Sequence, residues 1–377
     1  WVYTVNFQKM QSTHGANYGL PAINMFSDFK YDFRNIEHIK KFLSDYGLLL
    51  LNNYDFDIIF KMITKVPNLE IYRDKDLLMI AAVSYAETGM YTDSEIFCNK
   101  LLKLKLNNEE LLILQFVKLK NSLALGYVSS ENFLDELKKL SISGIADQNN
   151  LTIRINTIRY TLANRKAFVS IPEILSEEID SVFKQIAESS CSERIKDLLT
   201  LWNCENLAYL LSTINGATLG DIRIRESLGN TIPLQERKAA AKQMISLNTQ
   251  FDNIVFAINS KAFQNNDALL KAYSFTVYVQ QFIHMQINYF SFEVPIADVE
   301  DFTKRIIRMI EYAGTAHNLF LELQAHKEAY NSLCDMIEII ELAEQGHHIQ
   351  THHDKTPLYQ QKEKIENSFD FVIRPIV

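Results

Sequence analysis

Four histidines crowd into the run His347-His348-Ile-Gln-Thr-His352-His353, and imidazole is the commonest protein ligand for a transition metal. His348 and His352 are four residues apart, so on a helix they would share a face and could hold a metal between them. Gly346, directly before the run, reads as a helix C-cap, and the residues that follow are polar. No CxxC accompanies the histidines and no HExxH glutamate supplies a base. The run therefore reads as an exposed polar linker, with His348 and His352 as weak metal candidates and no resident cofactor expected.

A second stretch with chemical potential is Gly216-Ala-Thr-Leu-Gly220-Asp-Ile-Arg223-Ile-Arg225. Two glycines and two arginines could cradle a phosphate, but the GK[ST] ending and the strand-then-helix context of a P-loop are missing. The stretch reads as an inter-helical loop in which Arg223 and Arg225 would serve recognition. Arg34-Asn35-Ile-Glu-His38 resembles the Arg-polar-His signature of a class of helical ribonucleases, with spacing at least one residue short. Nucleophile elbows, Ser/His/Asp sets and kinase signatures are absent from the sequence. His38, His284 and His317 are among the histidines left for a dispersed active site, and no catalytic motif marks them.

The chain carries 38 Lys and Arg against 46 Asp and Glu, a net charge of −8. That sign argues against nucleic acid, whose binders show a basic face; Arg154, Arg159, Arg165 and Lys166 scatter along one helix. The apolar run Gly47-Leu-Leu-Leu-Leu51 is far too short to span a bilayer. Four cysteines at 98, 191, 204 and 334 show no close pairing, which suits a reducing, cytoplasmic compartment. The opening Trp1-Val-Tyr-Thr-Val-Asn-Phe7 has no Met and no signal-type pattern, and reads as an interior piece of a longer polypeptide.

The elements that must position these residues are helices. Turn formers are few, 11 glycines and 7 prolines in 377 residues, and a β-sandwich would need more. From Ile36 onward apolar residues recur at three- and four-residue spacing. The clearest segment is Asp76 to Leu106. Leu78, Ala81, Ala82 and Tyr85 share one helix face; Gly89-Met-Tyr91 makes a turn, with Thr92 or Asp93 to cap the next helix; Ile96, Leu101, Leu102 and Leu104 carry its apolar face.

Laid against the 34-residue pattern, this hairpin resembles the tetratricopeptide repeats. Leu78 stands at the large first position, Ala81 and Ala82 at the small pair of the helix crossing, Tyr85 at the packing aromatic, and Gly89 and Tyr91 at the Gly-x-Tyr turn. It departs from the family at Ser94, Cys98 and Leu106. Lys41–Val66 and Glu109–Leu140 keep only the helix–turn–helix spacing. One such hairpin cannot bury its apolar face alone, so neighbours are implied.

The expected fold is all-α: a right-handed α-solenoid of helix–turn–helix repeats over 36–213, after an irregular segment at 1–35. Residues 214–233 read as a loop and sub-domain boundary. Long helices over 234–345 follow, bundle-like because 267–292 is apolar on most sides, then a polar linker and tail at 346–377. The expected function is recognition of a protein or peptide on the repeat surface, by exposed positions Met79, Ser84 and Thr88 with Asn53, Lys118 and Asn121 from neighbouring hairpins. Two alternatives stay open: a regulatory arm of a larger signalling or bacterial defence protein whose catalytic domain precedes Trp1, and an all-helical hydrolase or ribonuclease.

Overall fold

The computed structural model describes residues 32–140, 147–163, 171–229, 249, 251–283, 299–346 and 349–369. Every regular element among them is a helix. In chain order these are α1 (Ile36–Asn52), α2 (Phe56–Ile63), the single turn α3 (Asn68–Ile71), α4 (Lys75–Glu87), α5 (Tyr91–Leu101), α6 (Asn108–Ala124), α7 (Ser130–Lys139), α8 (Asp147–Ala163), α9 (Ile171–Glu188) and α10 (Glu193–Ser227). Then come α11 (251–264), α12 (Ala268–Gln281), α13 (Val299–Glu322), α14 (His326–Glu341, continued as a π-turn to Gly346) and α15 (Thr356–Ser368).

Local chemistry sets many of the starts. Asn35, Asp74, Asn107, Ser129 and Asp267 each accept a backbone N–H of the first turn, and Asn107 with Glu110 closes a capping box. Thr92 and Asp93 do not cap α5, which starts at Tyr91 with Met90 before it. Gly89 sits at φ 88° in the turn before it, a conformation that suits glycine. Gly47 lets α1 approach α4, where a Cβ would meet Ile80 at 2.4 Å.

Packing runs along the chain. Each helix from α4 to α9 touches its successor, and α4–α6, α8–α10, α10–α12 and α12–α14 touch as alternate neighbours. The crossing of α4 and α5 buries Ala81 and Ala82 completely, as the small-residue pair requires. The apolar face expected of α5 is corrected. Ile96, Leu102 and Leu104 are exposed, and the buried face is Tyr91, Ser94, Phe97, Cys98 and Leu101. Small Ser94 and Cys98 admit close helix approach, whereas a leucine there would hold the helices apart. Central burial of α12 agrees with the sequence: eight of its residues are buried.

Three boundaries differ from expectation. The loop and boundary at 214–233 is helical as far as Ser227, so α10 runs 35 residues through Gly216 and Gly220. Glycine inside a helix costs only about 1 kcal/mol, and no proline interrupts the segment before Pro233. The helix expected over Ala297–Tyr312 extends instead from Val299 to Glu322, and Leu323–Ala325 separates it from α14. The tail is not all linker: α15 starts with Pro357 in its first turn and buries Ile365 against Tyr330, Leu333 and Ile337. Residues 1–31, 230–248, the helix expected beyond Ile283 as far as Phe292, and the tail after Phe369 lie outside the described residues.

Tyr330, Leu333 and Ile337 of α14 also share a core with α1 to α6, so the C-terminal helices cover the N-terminal hairpins. Cys98 and Cys204 are buried, Cys191 and Cys334 half-buried, and all four are free thiols. No helix among the described residues is long and apolar enough to cross a membrane.

Candidate functional site: a polar cluster shared by six helices

The positions expected to be exposed for recognition are taken up by the fold. Met79, Ser84, Thr88, Asn53 and Asn121 are all buried, a correction to their expected exposure. Nearly every side of α4 packs against another helix, which leaves no outward face for Met79, Ser84 and Thr88. The Thr88 hydroxyl donates to the Ser84 carbonyl at 2.9 Å, and Asn53 Nδ2 donates to the Leu49 carbonyl at 2.8 Å. Asn121 Nδ2 donates to Ser94 Oγ at 2.9 Å. Lys118 bridges α6 to α5, donating to Asn99 Oδ1 at 2.8 Å and pairing with Glu95 at 3.2 Å. Arg225 is half-exposed near the end of α10, and the side chain of Arg223 lies outside the described residues.

The histidines are equally occupied. His38 Nδ1 accepts the Asp32 backbone N–H at 2.8 Å, and Asn35 caps α1, so the Arg34–His38 segment builds a helix start. His317, 4% exposed, has Nδ1 against the Ala329 carbonyl at 2.7 Å and Nε2 against Gln361 Nε2 at 2.6 Å. With a proton on Nδ1, both contacts are satisfied and neither nitrogen is left for proton transfer. Burial holds its pKa below the usual histidine value, against the Ala329 hydrogen bond. His352 is exposed at φ 57° outside any helix; His284, His347 and His348 lie outside the described residues. Among the described residues, no group of three or more His, Cys, Asp or Glu is placed to hold a metal ion.

Polar side chains converge elsewhere. Lys120 of α6 donates to Glu87 of α4 at 2.6 Å, with the two side chains 27% and 21% exposed. Arg159 of α8 pairs with Glu205 of α10. Gln280 of α12 donates to Asp335 of α14 at 2.7 Å. The first two pairs lie within electrostatic range of one group, since the charges of Glu328, Glu205, Glu87 and Arg159 act on the Tyr273 hydroxyl of α12, and Asp335 feels Glu205. The Lys120 ammonium likewise feels Glu87, Glu328 and Tyr54. Six helices, α4, α6, α8, α10, α12 and α14, thus place ionisable groups at a common centre.

Electrostatics there follow from partial enclosure. Burial raises the carboxyls of Glu205 and Glu328, opposed in the first by Arg159, and raises Asp335 to about 7 despite the Gln280 hydrogen bond. Burial alone would lower Lys120, but Glu87 outweighs it and the ammonium is held above its usual range. Glu328 Oε2 and Ser332 Oγ are buried without a hydrogen-bond partner.

A turn from the N-terminal end closes on this centre. Tyr54, at φ 58° between α1 and α2, stacks edge-on against Trp202 at 5.2 Å, and its hydroxyl lies 3.3 Å from Thr152 Oγ1. Beside it Arg194, 3% exposed, donates to Asp267 at 2.6 Å and to the Asn53 carbonyl, with Asp55 at 3.6 Å. Asp267 is the N-cap of α12, so one guanidinium joins three distant parts of the chain. Sequence reasoning missed Glu87, Lys120, Arg159, Glu205, Tyr273 and Glu328. A charged or aromatic residue every third or fourth position among apolar neighbours is the available signal, and it is also that of an ordinary solvated face.

The tetratricopeptide resemblance rests on the residues of Asp76–Leu106. Comparisons with protein-family models, curated proteins and solved structures return no match.

Proposed function

We propose that this chain is a helical-repeat recognition module, in which successive hairpins stack so that α4, α6, α8, α10, α12 and α14 form an inner layer that binds a segment of a protein or peptide. What supports this reading is the convergence of side chains from those six helices on one partly exposed polar centre. The alternate-neighbour contacts α4–α6, α8–α10, α10–α12 and α12–α14 support this reading, since stacked hairpins each bury the face a neighbour exposes. In such stacks the inner helices carry the binding side chains. Trp202, Tyr273 and Tyr54 add aromatic surface to the charged pairs, a combination enriched at protein-recognition sites.

The test is site-specific photo-cross-linking with the full chain. Benzoylphenylalanine replaces Tyr273 at the centre, or Tyr127, which is 73% exposed, as the control. Cross-linked partners are captured from native lysate and identified by mass spectrometry. A protein partner that attaches through position 273 and not through 127 is the expected result; attachment only through 127, or none at either, refutes the inner-layer reading.

A further inference from the structure

The central cluster holds more anion than cation. Lys120 answers Glu87 and Arg159 answers Glu205, each within a close ion pair. Glu328 is left with an Oε2 that is buried and has no hydrogen-bond partner. A buried carboxylate oxygen without a donor costs on the order of 1–3 kcal/mol or more, so native proteins keep few of them without a purpose. Ser332, one helical turn along α14, is 2% exposed, and its Oγ has no partner either. Asp335 follows three residues later. Spacing of i, i+4 and i+7 places the three on one stripe of α14. Asn331 and Glu338, which border that stripe on the helical wheel, are exposed, so its edge reaches solvent.

Two unsatisfied acceptors and a nearby carboxyl are chemistry for an N–H-rich cation. A lysine ammonium brings three donors and an arginine guanidinium five, and either can lie on an aromatic face. An anion would meet Glu87, Glu205, Glu328 and Asp335 together. An apolar group would leave the Glu328 and Ser332 oxygens unsatisfied.

We propose that the Glu328–Ser332–Asp335 stripe receives the lysine or arginine side chain of a partner peptide. This rests on the recognition reading above and names the chemistry of its partner. Glu328 is the principal anion, Ser332 Oγ accepts a second N–H, and Asp335 adds charge at the far end. Lys120 and Arg159 stay with their own carboxylates, which keeps them from filling the place. Enclosure makes the interaction specific: a cation on the outer surface meets screened carboxylates, whereas one here meets charge in a setting of lower dielectric.

The full chain is titrated by fluorescence anisotropy with fluorescein-labelled octaarginine and octalysine, and with octaglutamate as the anionic control, at about 0.15 M salt, where exposed charges are screened. Glu328→Gln keeps the shape and removes the charge; Glu178→Gln makes the same charge change on exposed α9. The expected result is at least a tenfold weaker affinity for one cationic peptide with Glu328→Gln, and less than a twofold change with Glu178→Gln. Glu328→Asp, which retains the charge, falls between Glu328→Gln and the wild type. Equal affinities in Glu328→Gln and Glu178→Gln would mean diffuse attraction to an acidic protein, and would overturn the proposal. So would spermine displacing the peptides at equal charge concentration, since the ligand would then be a free polyamine. Cross-links at position 273 to segments without lysine or arginine would leave the recognition reading standing and remove this one.

Discussion

The Ser94 hydroxyl donates to the Ala82 carbonyl at 2.6 Å, across the crossing of α4 and α5, and accepts Asn121 Nδ2 from α6 at 2.9 Å. All three residues are buried. A departure from the tetratricopeptide pattern, serine at a small-residue position, is thus the bolt through three helices. Ser94→Ala leaves Asn121 Nδ2 only the Cys98 sulfur at 3.9 Å, and Asn121→Ala removes the donor; each is expected to cost about 1–3 kcal/mol in chemical denaturation. The double variant should cost less than the two together, because the second change removes a group already unsatisfied. Strict additivity would show that the pair does not act as a unit.

Gly89 takes φ 88° where α4 turns into α5. Gly89→Leu forces a branched side chain into left-handed backbone, at about 1–2 kcal/mol. Thermal unfolding should move down by about 1–3 °C. An unchanged midpoint would mean that the turn relaxes to another conformation.

Arg194 faces Asp267 and Asp55 in the interior. Arg194→Met keeps the stem but removes the buried cation that faces both carboxylates, and stability should fall by about 3–5 kcal/mol. Burial already raises Asp55 to about 6 against the pull of Arg194, so the variant should regain part of its loss on acidification to pH 5. A loss independent of pH would assign the role of Arg194 to packing alone.

Asp335 offers the opposite experiment. Burial lifts its carboxyl from 3.8 to about 7, with Gln280 opposing and Glu338 and Glu205 adding to the rise. A raised acid pKa means that the folded state holds the proton more tightly, so this group's contribution is fullest below pH 4 and is lost as pH climbs through 7. A tenfold difference in proton affinity between the folded and unfolded chain is worth about 1.4 kcal/mol. Asp335→Asn, which keeps an acceptor for Gln280, is therefore expected to raise the unfolding midpoint at pH 8. It should also flatten the midpoint's decline between pH 6 and 8. A steeper decline in the variant would reverse the assignment.

How much of this is legible in the sequence follows the range of each interaction. Gly89, Ala81 and Ala82 are read from local spacing, because turn geometry and close crossing are properties of a few consecutive residues. Central burial of α12 is read from its all-round apolar pattern. The register of α5 departs from the hydrophobic pattern because Ile96, Leu102 and Leu104 are more apolar than Ser94 and Cys98, yet proximity to α4 selects the smaller side chains. The polar centre escapes the sequence for a different reason. Glu87 and Lys120 lie 33 residues apart in sequence, and Arg159 and Glu205 lie 46 apart. Nothing within one helix distinguishes these from surface charges; their meeting depends on how six helices are stacked. Gly216 and Gly220 mislead in the other direction, since a helix with long apolar neighbours on both sides absorbs two glycines.

The core of α1 to α6 is completed by Tyr330, Leu333 and Ile337, some 200 residues further along the chain. During synthesis at about 5–20 residues per second, the N-terminal hairpins emerge with that face open for roughly 10–40 s before α14 exists to cover it. Nascent chains of this protein are therefore natural clients for chaperones that hold apolar surface. Ribosome release before residue 337 would leave a fragment prone to self-association, even though most of its own helices are in place.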